Sequence, residues 1–224
     1  PKSPRAVRSV VLVAVPAGLK IQPDAVTNVP PAQAQVIGVW SPLFPVFALP
    51  PGVAYTLPAG FEYKLWVLYQ PQGKPVSGAI QVHMHEPDKQ SRLVQATRVQ
   101  HPAFTIKERE SKWLTVTQKI DRPSTLYSVT PLARFYCNVI KVSVKQPNGP
   151  ETEIATINKH DPYWTQTIQL SSPLKLQAGA TVISKYFYAN DKYCRMNEGK
   201  EPEIVKSGQK ITDEACELRL LLSD

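Results

Sequence analysis

Apolar and polar residues alternate in short runs along most of this chain. The stretch IKVSVK at residues 140–145 is one example, and its period of two is typical of a β-strand with one buried and one solvated face. No window of about 12 residues keeps the 3.6-residue period of an amphipathic helix. The pattern therefore predicts a structure that is β almost throughout.

Runs rich in β-branched and aromatic residues, each bounded by Pro, Gly, Asn or Asp, predict the individual strands. They are VRSVVLVAV, EYKLWVLYQ, GAIQVHMHE, SKWLTVTQKI, YCNVIKVSVKQ, ETEIATIN, WTQTIQL, ATVISKYFYA and ACELRLLLS. Their regular spacing favours an antiparallel β-sandwich or jelly roll.

The domain boundary depends on where this pattern breaks. Residues 20–60 are rich in proline and show little periodicity, which predicts a long ordered connection within the first unit. A second break falls near ATRVQHPAF, after which a new series of strands begins. We therefore predict two domains, residues 1–102 and residues 103–224.

The charge balance favours an acidic partner. The net charge is +8 and the pI is about 9.4, yet the basic residues are spread along the strands. No basic run is interleaved with aromatics as in single-strand nucleic-acid binders, so no nucleic-acid partner is predicted. The alternating strand face suggests Lys141, Lys145 and Lys159 as contact residues for an acidic protein surface or membrane protein complex.

The compartment is predicted from three sequence features. No apolar run of about 18 residues exists, so the chain has no transmembrane segment of its own. It begins with Pro1, which predicts a processed or trimmed N-terminus. Its three cysteines match no zinc spacing, and one disulfide with one thiol left over favours an exported, periplasmic or extracellular location.

The stretch VHMHEP at residues 82–87 is the most conspicuous candidate metal motif. His83 and His85 lie two residues apart, so on a strand they share a face and could chelate a metal together. A third ligand would have to come from His101, His160, Glu86 or Met196, and no spacing supplies one. We therefore expect surface or interface histidines. The chain also has no Gly-rich phosphate loop and no G-x-S-x-G motif.

The order of several segments resembles the copper type II, ascorbate-dependent monooxygenases, the family of the peptidylglycine α-hydroxylating and dopamine β-monooxygenases. AVRSVVLVAVP, IGVWSPLFPVFALPPGVAYTLPAG and YKLWVLYQPQGKP are similar to its first domain. The segment from HPAFTIKERES to VKQPNG, then WTQTIQLSSPLKLQAGATVISKYFYAND and KSGQKITDEACELRLLL, are similar to its second. The resemblance implies two jelly rolls side by side, the first shortened because its initial strands are absent from this sequence.

The same resemblance identifies the positions where that family holds its two coppers. One set of three ligands falls on Arg8, Ser9 and Leu68. The other falls on Leu132, Arg134 and Ala215. Leucine and alanine have no donor atom and arginine has no lone pair to offer, so the sequence predicts neither copper nor any other cofactor.

The resemblance also implies a disulfide. The family places a cysteine directly after its Asp-Glu-Met, and here Cys216 follows Asp213-Glu214-Ala215. The usual partner position holds Lys185, so Cys194 is expected as a shifted partner. Cys137, on an alternating strand, is expected to be a small buried hydrophobe.

Together these features predict a non-catalytic protein that keeps the monooxygenase fold, a pseudoenzyme. It would act as a binding or structural subunit, extrinsic to a larger envelope-side complex such as an electron-transfer or photosynthetic membrane assembly. The alternatives are a metalloenzyme whose site is rebuilt around His83 and His85, and a carbohydrate- or peptide-binding module.

Overall fold

A computed structural model describes residues 6–20, 34–42, 49–57, 59–69, 73, 75, 77–162, 167–208 and 213–224. Strands account for nearly all of the regular structure in these ranges. The chain divides into two compact units, Pro1–Ala96 and Thr97–Asp224. Within the described ranges, no helix has the length and apolarity needed to cross a membrane.

The first unit is built around a small antiparallel sheet. The strands of this unit are β1 (Val7–Pro16), β2 (Gln35–Trp40), β3 (Val53–Tyr55) and β4 (Phe61–Tyr69). Three of them form the sheet, in the order β2-β1-β4. Val13, Val15 and Ala34 form its buried cluster, against which Trp66 packs. The strands β2 and β3 lie in the segment that we expected to be a connection. These two strands are too short to show a clear alternation of apolar and polar residues within a proline-rich sequence. They form strands because their backbones hydrogen-bond to neighbouring strands.

The predicted strand GAIQVHMHE is wrong. Residues 77–91 contain no strand, and nearly all of them are exposed. An alternating sequence becomes a strand only where a neighbouring strand accepts and donates its backbone hydrogen bonds. None of the described residues does so for this segment.

The strand β5 (Arg92–Gln100) runs through the predicted break at ATRVQHPAF and crosses from one unit to the next. Within the first unit, β3 pairs with the first residues of β5 in parallel, a local exception to the antiparallel arrangement. The two units meet between Ala96 and Thr97, a few residues before the division at 102 that the sequence pattern predicted.

The second unit is a two-layer β-sandwich. Its strands are β6 (Thr105–Ile106), β7 (Ser111–Lys119), β8 (Ser124–Ala133), β9 (Cys137–Lys145), β10 (Glu151–Asn158), β11 (Ile168–Leu176), β12 (Thr181–Ala189), β13 (Val205–Lys206) and β14 (Cys216–Ser223). One sheet has the order β10-β9-β12-β7. The other has the order β11-β8-β14, followed by β5. The predicted all-β, jelly-roll or β-sandwich fold class is confirmed.

The core of the second unit lies between these two sheets. Alternate residues of β12, among them Val182 and Tyr186, are fully buried, as are Leu218 and Leu220 of β14. Their neighbours along β12 point to the opposite face of the sheet because strand side chains alternate. The sandwich therefore has one apolar interior and an outer face on β12 that is available to solvent.

Two buried tyrosines connect the sheets by hydrogen bonds. The hydroxyl of Tyr186 donates to the carbonyl oxygen of Glu217 at 2.5 Å, and that of Tyr188 donates to the carbonyl oxygen of Ala215 at 2.5 Å. Both rings belong to β12 and both acceptors lie at or beside β14. Each phenol thus spans the core and ends on a main-chain acceptor of the other layer.

We predict that Tyr188→Phe lowers the free energy of unfolding by about 1–3 kcal/mol, because it leaves a buried carbonyl without its donor. Urea denaturation monitored by circular dichroism measures this loss. Tyr193→Phe is the matched control, since Tyr193 is 83% exposed and its hydroxyl can bond to water. Equal stability of both variants would contradict the assigned role of the Tyr188 hydroxyl.

Candidate functional site

The first group of predicted ligand positions lies on β1 and β4. Ser9 is directly opposite Leu68 in the register of these antiparallel strands, and both are half-buried. The side chain of Arg8 lies outside the described part of the chain. The structure thus brings Ser9 and Leu68 together, but an aliphatic chain and a hydroxyl do not form a copper site.

The second group lies where β8 ends and β14 begins. Ala133 pairs with Cys216 and Leu132 with Glu217, which places Arg134 and Ala215 at the same end of the strand pair. Leu132, Arg134 and Ala215 are all buried. The guanidinium of Arg134 donates to the carbonyl oxygen of Asp213 at 2.5 Å. Arg134 places a fixed cation among these three positions, and Leu132 and Ala215 have no donor atom, so the three side chains do not form a ligand set for copper.

Glu214 is the buried residue that organises this end of the sandwich. Its carboxylate accepts hydrogen bonds from the backbone N–H groups of Arg134 at 2.5 Å, Tyr136 at 2.8 Å and Ala215 at 2.9 Å. These bonds join the segment before β14 to the turn between β8 and β9. In the sequence, Glu214 was considered only as part of the segment Asp213-Glu214-Ala215 before Cys216, and no local signal indicated its burial.

Burial also changes how Glu214 titrates. Loss of hydration raises the pKa of its carboxyl from 4.5 to about 7, although the three N–H donors and the charge of Arg134 act in the opposite direction. Folding therefore disfavours ionisation of this carboxyl relative to the unfolded chain, where it is exposed to water. At neutral pH the folded protein contains both forms of this carboxyl.

We predict that the free energy of unfolding falls as the pH rises from the unfolded pKa of Glu214, 4.5, through its folded value of about 7. A carboxyl whose folded pKa is raised from 4.5 to about 7 contributes stability that is complete below its unfolded pKa. That contribution is lost as the pH rises through the folded value. The loss should reach up to about 3 kcal/mol between acid and mildly alkaline pH. Urea unfolding at a series of pH values measures it.

Glu214→Gln should remove most of this slope, because the amide does not titrate. Glu198→Gln is the control, since Glu198 is exposed, and it should keep the slope of the parent protein. A parent protein whose stability is flat over this range, or a slope that survives Glu214→Gln, would show that another group is responsible.

A second buried carboxylate was also missed by sequence reasoning. Glu217 is fully buried, and its oxygens lie 2.7 Å from the guanidinium of Arg98 and within hydrogen-bond distance of that of Arg219. Two cations thus neutralise one carboxylate inside the protein. An ion triad of this kind is a structural unit that is costly to disrupt.

In the part of the chain that the structure describes, His83 and His85 have no third metal ligand. Both side chains are exposed in the irregular segment 77–91. His101 bonds to the carbonyl oxygen of Pro102 and His160 to that of Ala133. Among the described residues, no group of three or more His, Cys, Asp or Glu side chains could hold a metal ion.

The predicted Cys194–Cys216 disulfide is not formed, since all three cysteines are free. Cys216 lies in the core beside Cys137, and burial raises its pKa to about 12. Cys194 lies in the loop after β12 and is half-buried. Asn197 holds that loop in place instead, because its amide donates to Asn190 at 2.9 Å and to the Asp191 carbonyl at 2.8 Å.

The predicted contact lysines lie in the second unit. Lys141 and Lys145 are exposed on the outer face of β9. Lys159 follows β10 in a turn with a φ of 58° and is also exposed. The structure therefore places the first two on one strand face, as alternation predicted, and puts Lys159 beyond the end of the neighbouring strand.

Comparison with known proteins adds little to this geometry. No protein-family model matches the chain, and no curated protein matches its sequence. Among solved structures, an exo-β-1,3-galactanase from Phanerochaete chrysosporium is similar to 55% of this chain at 12% identity and a TM-score of 0.24. A structure of infectious bursal disease virus, Gx strain, is similar to 97% of it at 8% identity and a TM-score of 0.28. The chain spans 29% and 52% of those proteins, and likenesses this low carry no argument about function.

Proposed function

We propose that this protein is a metal-free, non-catalytic derivative of the copper monooxygenase fold that works as a binding subunit. In this proposal it is exported and acts as an extrinsic, structural component of a larger envelope-side complex, such as a membrane electron-transfer or photosynthetic assembly. The partner presents an acidic surface, which complements the net charge of +8.

The observation that supports this proposal most is the identity of the residues at the second set of predicted ligand positions. Leu132 and Ala215 contribute only carbon atoms there, and Arg134 contributes a buried positive charge. Arg134 is tied to the Asp213 carbonyl, and its backbone N–H bonds to Glu214. A protein cation thus stands where the resemblance implies a metal cation.

The preserved strands support a binding role over a catalytic one. A scaffold can keep its fold while its function moves to another part of its surface. The buried carboxyl groups of the interior, Glu214 and Glu217, are bonded to protein partners. The groups able to meet another molecule are those on the outer strand faces.

We predict that the purified protein retains no copper. After incubation with excess copper and desalting, metal analysis should find no stoichiometric copper, because neither ligand group offers a set of soft or borderline donors. One or two tightly held coppers per chain would contradict the proposed function.

The same measurement on His83→Ala/His85→Ala tests the alternative metalloenzyme. Both residues are exposed, so their replacement should leave the fold intact, which circular dichroism verifies. Copper that binds the parent protein and is lost in this variant would favour a site rebuilt around these histidines. Copper that binds both proteins would indicate a site elsewhere in the chain.

A further inference from the structure

The outer face of the sheet β10-β9-β12-β7 carries an ordered pattern of side chains. Residues that are opposite each other on neighbouring strands form rows across this face. One row contains Trp113, Phe187 and Val139, and we call it the apolar row. Two residues before Phe187 on β12 lies Lys185, and opposite it on β9 lies Lys141; we call this pair the basic row.

The basic row is unfavourable for the isolated protein. Lys141 and Lys185 are direct cross-strand neighbours, and like charges in that position destabilise a sheet. Glu151 compensates only one of them, because its carboxylate lies 3.0 Å from the Lys185 ammonium. Among the described residues, Lys141 makes no ion pair. An anion placed over this row would relieve the repulsion.

A second pair of lysines lies further along the same face. Lys119 and Lys145 both lie opposite Thr181 on its two sides, and both are exposed. The strand rise places this pair about 13 Å from the basic row. Lys145 also lies opposite Glu151 on β10, whose carboxylate attracts it but is shared with Lys185. Within the described ranges, Lys119 makes no ion pair.

The apolar row is partly exposed, since Trp113 is exposed while Phe187 and Val139 are half-buried. Trp113 is 48% exposed, and its ring centroid lies 5.2 Å from that of Phe187 with a tilt of 46°. A tryptophan on the solvent side of a sheet is unusual for a residue of its size, and such residues often anchor partner side chains. The apolar row lies about 7 Å from the basic row, a distance that two residues of an extended chain span.

From this pattern we propose that the outer face binds an extended acidic segment of a partner protein, in register with the strands. An apolar side chain of that segment packs on Trp113 and Phe187. A carboxylate two residues later lies between Lys141 and Lys185, and a second one, four residues beyond, reaches Lys119 and Lys145. This inference rests on the binding function proposed above. It adds which surface of the protein binds and what kind of partner segment is bound.

Charge complementarity and spacing together favour this occupant. The four lysines outnumber the carboxylates of Glu151 and Glu153 on the face, so the excess charge is positive. An anionic polysaccharide would also meet the lysines, but it has no apolar side chain for the tilted Trp113–Phe187 pair. An extended peptide supplies both at the observed row spacing.

The test uses fluorescent peptides and anisotropy. One peptide carries leucine and two glutamates at the spacing set by the rows, with serine and glutamine elsewhere. Its control has the same composition with the glutamates moved to the opposite side of the extended chain. We expect the spaced peptide to bind more tightly and its affinity to fall as salt rises. Polygalacturonate serves as the polysaccharide probe.

Lys141→Glu/Lys145→Glu should weaken binding of the spaced peptide about tenfold or more, since each reversal replaces an attraction by a repulsion. The control is Lys175→Glu/Lys200→Glu, which changes the charge equally at exposed positions off this face. Trp113→Ala should weaken binding severalfold, whereas Tyr193→Ala, at another exposed aromatic, should not. Circular dichroism confirms that each variant folds.

Equal binding of the two peptides, or equal loss in the two lysine variants, would overturn the assignment of this face. Binding of polygalacturonate alone, with dependence on Lys141 and Lys145, would overturn the peptide as the partner. In both cases a protein that retains no copper would still satisfy the proposed non-catalytic function. Copper retention would refute that function whatever the peptides do.

Discussion

The second unit depends on the contact between β12 and β14 through the sandwich core. Tyr186 and Tyr188 reach from one sheet to main-chain carbonyls of the other. Because a buried carbonyl needs a donor, each phenol fixes both the separation of the layers and the position of β14 along β12. Their alternate neighbours, Lys185 and Phe187, are thereby placed on the outer face.

Ionisable groups in the interior are arranged around this contact. Glu214 closes the start of β14 against the turn after β8 through three N–H groups. Glu217, whose carbonyl accepts from Tyr186, has its carboxylate neutralised by two arginines. Such groups are stable only when their partners are in place. The interior chemistry therefore serves the fold, and Arg134 is part of it.

The outer face of the sheet β10-β9-β12-β7 follows different rules. Water screens its charges, so a like-charged pair such as Lys141 and Lys185 costs little enough to persist. An exposed tryptophan beside that pair is also tolerated, because one apolar side chain on the surface does not prevent folding. One face of β12 therefore packs in the core, and its other face is free to bind another molecule.

Local pattern alone determined much of this protein. Period-two alternation is a property of neighbouring residues, so the all-β fold, strands such as β9 and β12, and the solvent side of Lys141 and Lys145 could be predicted from the sequence. The absence of donor atoms at Leu68, Leu132 and Ala215 is equally a matter of residue identity. No tertiary information was needed for either conclusion.

The remaining features were decided by which segments meet. GAIQVHMHE has the pattern of a strand but lacks a pairing neighbour among the described residues, so it is not one. Lys185 opposes Lys141 only because β9 and β12 pair in one particular register. Glu214 and Cys216 are buried because of how the sheets stack. Register and stacking arise from contacts between residues distant in sequence, and local patterns do not encode them.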